Sequence, residues 1–179
     1  MTKPFDDALD CARATVSLAG LADLDAFARA LAMRLRPGDV VALDGDLGAG
    51  KTTLVQALAR HLGVSDGVVS PTFVLTHEYR GAPMPVLHAD FYRLEDEAAQ
   101  SLAEEMTAVI AEGRTLVLVE WAKFGPFLAP FVTRSLALST PDQAASGPEN
   151  PQQGEARVIS LQRHKTSQEP QTLAETQNG

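Results

Sequence analysis

The sequence predicts an α/β fold: a mostly parallel sheet flanked by helices, with antiparallel strands at its edges. Three observations predict it. Val40-Val41-Ala42-Leu43 and Thr115-Leu116-Val117-Leu118-Val119 are continuous apolar runs of the kind that form strands buried on both faces. Such runs alternate along the chain with stretches of helical periodicity. After the first run comes Gly45-Asp46-Leu47-Gly48-Ala49-Gly50-Lys51-Thr52, which fits the pattern G-x-x-x-x-G-K-[ST] between a strand and a helix. The expected architecture is therefore P-loop NTPase-like.

Taken in order, a short strand is expected near residues 16–18. A helix follows over 21–35, where Leu24, Phe27, Ala28, Leu31 and Leu35 recur at helical spacing and Pro37-Gly38 ends the run. The strand at 40–43 leads into the glycine-rich loop, and residues 51–62 form the next helix, stopped by Gly63. Ser70-Pro71 opens an extended segment over 72–79, and residues 80–83 turn the chain. Val86 to Ala89 is a further strand ending at Asp90; residues 97–112 read as a helix ending near Gly113. The strand at 115–119 ends at Glu120-Trp121. Residues 135–139 and 157–161 are expected as a late pair of edge strands around a loop rich in Pro, Gln, Ser and Gly. The chain reads as one P-loop domain over residues 1–162, followed by a polar tail over 163–179.

Composition narrows the function classes. A formal net charge of −8 argues against a broad basic footprint for nucleic acid. One cysteine, Cys11, cannot form an internal disulfide and fits a reducing compartment. No apolar run approaches the roughly 18 residues of a membrane span, and the N-terminus lacks the basic-then-apolar pattern of a signal peptide. The expected location is cytoplasmic, with no membrane partner.

The glycine-rich loop points to a nucleotide. Small residues let successive backbone N–H groups of Gly45, Asp46, Gly48, Ala49, Gly50, Lys51, Thr52 and Thr53 turn toward phosphates, with the positive end of the following helix aimed at the same charge. Lys51 would reach the β- and γ-phosphates, and the Thr52 hydroxyl would hold Mg²⁺. Open parallel sheets bind ligands at the carboxyl ends of their strands, and Asp46, Asp90 and Glu120 each follow an apolar strand. Glu120, at the end of the stronger run, is the better metal candidate. Asp90 is the better candidate to orient water or act as a base. The Ser70-Pro71-Thr72 segment stands where other phosphate-loop proteins sense the γ-phosphate; it reads equally as a turn into a strand. Trp121 alone reads as core packing. His88 reads as packed in or beside the sheet, since no second His or Cys stands at metal spacing.

Four segments carry a resemblance in order and spacing: Gly45 to Thr53, Ser70-Pro71-Thr72-Phe73, His88-Ala89-Asp90-Phe91-Tyr92-Arg93-Leu94, and Val119-Glu120-Trp121. Together they closely resemble the bacterial TsaE (formerly YjeE) ATPases, which serve synthesis of threonylcarbamoyladenosine in tRNA. The resemblance spans about residues 21–162. It implies an ATP- and Mg²⁺-dependent ATPase that works with the threonylcarbamoyltransferase complex. That complex modifies adenosine 37 of tRNAs reading codons that begin with A, so this chain would meet tRNA only indirectly. The resemblance also implies Thr52 and Glu120 as Mg²⁺ ligands and Asp90 as the second catalytic acid beside Lys51. It makes Trp121 an aromatic marker of the site, turns Glu78 toward it and brings Arg157 to the nucleotide from the edge. Three features depart from the family pattern: Leu24 replaces a threonine near the base, Ala122 replaces a proline, and the 141–154 loop is longer. Two other readings stay open on the same loop. One is a small-molecule kinase, for which only Arg80 and Arg93 could serve as lid arginines; the other is a nucleotide-gated assembly factor.

Overall fold

The computed structural model describes residues 5–64, 75–79, 84–92, 94–122, 126–141 and 156–164. It begins with a short helix that the sequence did not announce, α1 (Asp6–Asp10). One turn is too short to carry a periodic signal, and tertiary contacts hold it. Leu9 is buried in the core. Arg34 donates to the carboxylates of Asp6 and Asp10 at 3.0 and 2.7 Å. That hydrogen bond from Arg34 holds the Asp10 carboxyl below its usual range.

β1 (Arg13–Leu18) and α2 (Leu21–Ala32) follow. The helix stops three residues earlier than its apolar spacing predicts, because Arg34 N–H already bonds Leu31 O and the residue before Pro37 is pushed out of the helical region. Leu35 remains buried all the same. β2 (Val40–Gly45) leads through the glycine-rich loop into α3 (Lys51–His61). β3 (Thr76–Tyr79), β4 (Val86–Asp90), α4 (Asp96–Ala111) and β5 (Leu116–Glu120) come next. A 3-10 helix (Pro126–Phe131), β6 (Arg134–Ser139) and β7 (Arg157–Arg163) complete the described chain. β7 runs to Arg163, and the expected tail from residue 165 on lies outside the described residues.

All seven strands form one sheet in the order β1-β7-β6-β2-β5-β4-β3. The inner pairs β6-β2, β2-β5 and β5-β4 are parallel, and antiparallel pairs flank them on both sides. One expectation is corrected: residues 135–139 and 157–161 are interior strands, and the edges are β1 and β3. The alternating burial of β6 and β7 comes from having one covered face, which in sequence looks the same as an edge position.

Side chains alternate across the sheet, so each strand contributes to two cores. Val41, Leu43, Val86, Leu116 and Leu118 pack against Phe27, Leu31, Leu54, Val55 and Leu58 of α2 and α3. Val40, Ala42, Ala89, Val117 and Val119 pack against Ala103, Met106 and Ile110 of α4. The same period of two puts His88, Asp90 and Glu120 on the α3 face, because they continue the rows of Val86 and of Leu116 and Leu118.

Gly45 ends β2 directly opposite Leu138 of β6. Its φ of 141° lies where L side chains are strained, and a Cβ at this position would run into the Leu138 carbonyl oxygen. Gly48 also has positive φ, 81°, but a Cβ there meets nothing within 4 Å. Gly45→Ala should therefore lower unfolding stability by about 2–4 kcal/mol, combining backbone strain with overpacking, while Gly48→Ala should cost only about 1–2 kcal/mol. Denaturant titration of the two variants beside the parent chain checks the ranking.

Candidate functional site

The glycine-rich loop is built almost entirely from backbone. Gly48 and Gly50 take φ values of 81° and 98°, and Ala49 N–H bonds Asp46 O at 3.1 Å. α3 starts at Lys51 with no side-chain hydrogen bond capping its N-terminus. Its leading N–H groups and the positive end of its dipole are thus available to an anion.

Lys51 is buried inside this turn. Its Nζ donates to the carbonyls of Gly45 and Asp46, both at 2.9 Å, and lies 3.9 Å from the centroid of the Trp121 ring. Burial pulls the Lys51 ammonium below its ordinary value, against the opposing pull of Glu120, Asp90, Asp44 and Asp46. Trp121 does more than pack. It sits in the core under α4, yet one face of its ring meets Lys51, and Tyr92 lies tilted against it with centroids 4.6 Å apart. Its φ of 57° is in the left-handed region, an unusual place for an aromatic residue. A bond from Trp121 N–H to Leu43 O at 2.8 Å secures that sharp turn beside the loop.

The strand-end acids converge as expected. Asp90 and Glu120 are register partners on neighbouring parallel strands, and both are buried. Thr52 Oγ1 donates to Glu120 Oε2 at 3.0 Å, which joins the start of α3 to the end of β5. Asp90 Oδ1 accepts the Tyr92 N–H at 2.9 Å, which fixes the turn after β4. Arg157, at the start of β7, reaches the loop from the other side and donates from Nε to Ala49 O at 3.0 Å. A Cβ on Gly50 would meet that Nε at 3.4 Å, an ordinary contact, so glycine is favoured there by its φ of 98° and not by the arginine.

Not every anticipated residue joins this cluster. Asp46 and Thr53 are exposed, Asp46 taking part through its carbonyl. Glu78 is exposed on the edge strand β3. Leu24 is buried in the core between α2 and the sheet. Thr72 with Ser70-Pro71, Arg80 and Arg93 lie outside the described residues, as does the 141–154 loop from residue 142 on. Two residues enter that sequence reasoning left out of the site: Tyr92, against Trp121, and His88, whose Nε2 is 3.0 Å from Glu120 Oε1. The signal for His88 was its spacing of two from Asp90, which assigns both to one face of the strand.

Among the described residues no three His, Cys, Asp or Glu side chains gather into a cage that could hold a metal alone. The donors at hand are one hydroxyl and carboxylate oxygens. Such a set fits Mg²⁺, a hard ion that keeps several waters and takes its remaining ligands from one or two carboxylates and a nucleotide's phosphates. No helix among the described residues is long and apolar enough to cross a membrane.

Comparisons with known proteins bear on the family and the fold. A solved structure of Bacillus subtilis YdiB superposes with a TM-score of 0.59 at 26% identity, over 83% of this chain and 84% of that one. The Bacillus subtilis tRNA threonylcarbamoyladenosine biosynthesis protein TsaE is 43% identical over 97 residues, 54% of this chain and 59% of the relative. The Streptomyces coelicolor protein of the same name is 41% identical over 97 residues, 53% of this chain and 64% of the relative. Each of these matches spans less than two thirds of the curated relative's length. The model of the family described as threonylcarbamoyl adenosine biosynthesis protein TsaE matches residues 18–146, well over half of the sequence, and the chain belongs to that family.

Proposed function

We propose that this chain is a Mg²⁺-dependent ATPase of the cytoplasm that serves the threonylcarbamoylation of adenosine 37 in tRNAs reading codons that begin with A, as an accessory to the threonylcarbamoyltransferase complex. The supporting observation is the bond between Thr52 and Glu120, with Lys51 inside the loop and Asp90 on the adjacent strand end. That set combines a phosphate cradle, an oxygen pair for a divalent ion and a second carboxylate for water. The names of the similar proteins supply the pathway.

In this reading the backbone N–H groups from Gly45 to Thr53 and the N-terminus of α3 receive the phosphates. Lys51 exchanges the carbonyls of Gly45 and Asp46 for the β- and γ-phosphates. Thr52 and Glu120 hold the metal, and Mg²⁺ when bound neutralises charge on the transferring phosphate. Asp90 orients the attacking water and accepts its proton. Arg157 steadies the loop from the edge and faces the nucleotide. Trp121 keeps Lys51 from moving away from the site. A net charge of −8 suits a protein that leaves tRNA contact to its partners.

Lys51→Ala should lower ATP turnover by about 100-fold or more while leaving the fold intact, since a cation placed on the transferring phosphate is lost. Glu120→Gln keeps the shape and removes the charge, so it should raise the Mg²⁺ requirement much more than it weakens metal-free nucleotide binding. Steady-state hydrolysis at varied Mg²⁺, with nucleotide affinity measured in EDTA, separates the two effects. Equal turnover by Lys51→Ala and the parent, in preparations free of contaminating ATPase, would sink the ATPase reading.

The accessory role is tested at Asp90. Asp90→Ala should lower threonylcarbamoyladenosine formation in the reconstituted system by about 100-fold or more, while the variant still assembles with the transferase subunits. Modified-nucleoside content of the tRNA and co-elution of the complex are the two measurements. Wild-type modification by the variant refutes the catalytic assignment, and tight salt-sensitive tRNA binding by the isolated chain refutes the accessory one.

A further inference from the structure

His88 is wholly buried in β4, at a register position opposite Leu118 of β5 on one side and His77 of β3 on the other. The Tyr79 ring lies 6.3 Å away between centroids. In such surroundings an apolar side chain would pack without leaving any polar atom to satisfy. Histidine does leave one: its Nδ1 has no hydrogen-bond partner among the described residues. A buried polar atom without a partner costs stability, so simple core packing is a poor account of this residue. What histidine provides here is the bond from its other nitrogen.

That bond completes a symmetrical arrangement. Glu120 Oε1 faces His88 Nε2 at 3.0 Å, and Glu120 Oε2 faces Thr52 Oγ1 at 3.0 Å. A carboxylate oxygen only accepts, so Nε2 carries the proton and donates. The last torsion of a glutamate is broad and soft, and a carboxylate held through one oxygen can still swing about it. Separate donors on the two oxygens remove that freedom. The donor on Oε1 comes from a neighbouring strand, which is rigid, whereas the donor on Oε2 comes from the loop that must receive the nucleotide.

We propose that His88 is a positioning residue for Glu120: by donating from Nε2 to Oε1 it fixes the plane of the carboxylate and presents Oε2 to Thr52 and to the Mg²⁺ of a bound nucleotide. This inference rests on the reading of the site as a Mg²⁺-nucleotide site. Partners of metal-binding groups at one remove typically change metal affinity or activity 10–100-fold when lost. His88 touches neither phosphate nor metal in this scheme, so its effect belongs on the metal and not on the nucleotide.

The test compares the parent chain with His88→Leu, which fills the space without a donor, and with His88→Gln, whose amide nitrogen reaches about as far as Nε2. Three quantities are read: affinity for Mn²⁺ by electron paramagnetic resonance in the presence of a non-hydrolysable ATP analogue, affinity for that analogue in EDTA, and the Mg²⁺ concentration giving half-maximal hydrolysis. His88→Leu should weaken Mn²⁺ binding and raise the Mg²⁺ requirement by about 10–100-fold with metal-free analogue affinity unchanged, and His88→Gln should stay close to the parent. If His88→Leu does not fold, His88→Asn takes its place, since its amide ends near the position of Nδ1 and falls short of Glu120. Parent-like metal binding by the Leu or Asn variant, or an equal defect in the Gln variant, overturns the proposal. If the parent chain itself binds neither the analogue nor Mn²⁺, the reading of the site fails instead.

Discussion

Glu120 fastens the sheet to the phosphate loop, and much of the site follows from the need to satisfy that one buried carboxylate. Taking an acid out of water at the end of an all-apolar strand is costly unless each oxygen finds a donor. One donor is the Thr52 hydroxyl, which sets how the first turn of α3 meets the end of β5. The other is His88, which sets the relation of β4 to β5. The backbone takes part as well: the Glu120 carbonyl accepts the Phe91 N–H at 3.1 Å, so the chain leaves β4 toward the same point. Loop, helix and two strand ends are therefore mutually positioned by one residue, and none can shift far alone.

Lys51 presents a second constraint, a buried charge opposite in sign to the first. A lysine with only 4% of its surface exposed leaves its ammonium short of hydration, and the lowered pKa reflects that loss. Two loop carbonyls, the face of Trp121 and the surrounding carboxylates offset it. The cation stays close to where phosphates would lie, but its bonds are to carbonyls that it can exchange for better acceptors. Trp121 can serve it only because the chain turns left-handed straight after Glu120, a strain held by the bond to Leu43 O and by stacking with Tyr92.

How much of this was legible in the sequence depends on how local the cause is. The loop was legible because glycine spacing, positive φ and helix start all lie within eight residues, and the structure has them in that order. The shared rim of Asp90 and Glu120 was legible because an acid after an apolar run marks a strand's carboxyl end whatever its neighbours are. The bond from His88 to Glu120 was not, since it requires β4 to lie parallel beside β5 with His88 opposite Leu118, a register that no local pattern contains. The interior position of β6 and β7 was missed for a related reason: alternation reports how many faces are covered, while strand order depends on pairings between distant segments. α1 escaped notice because the contacts that hold it, from Arg34 to Asp6 and Asp10, join residues 28 and 24 positions apart.

Strand order also gives the loop two unlike flanks. On the side of β5 and β4 stand Glu120 and Asp90, all oxygen donors suited to a cation and its water. On the side of β6 the loop is pressed against the sheet, with Gly45 opposite Leu138, and β7 begins there with Arg157 bonded to Ala49 O. Carboxylates on one flank and a guanidinium on the other establish a field across the loop, negative on the β5 side and positive on the β7 side. β7 runs antiparallel to β6, with Val158 paired to Ser139, so its first residues lie beside the end of β6 at the mouth of the loop, and the antiparallel half of the sheet contributes to this cluster as well as to the core.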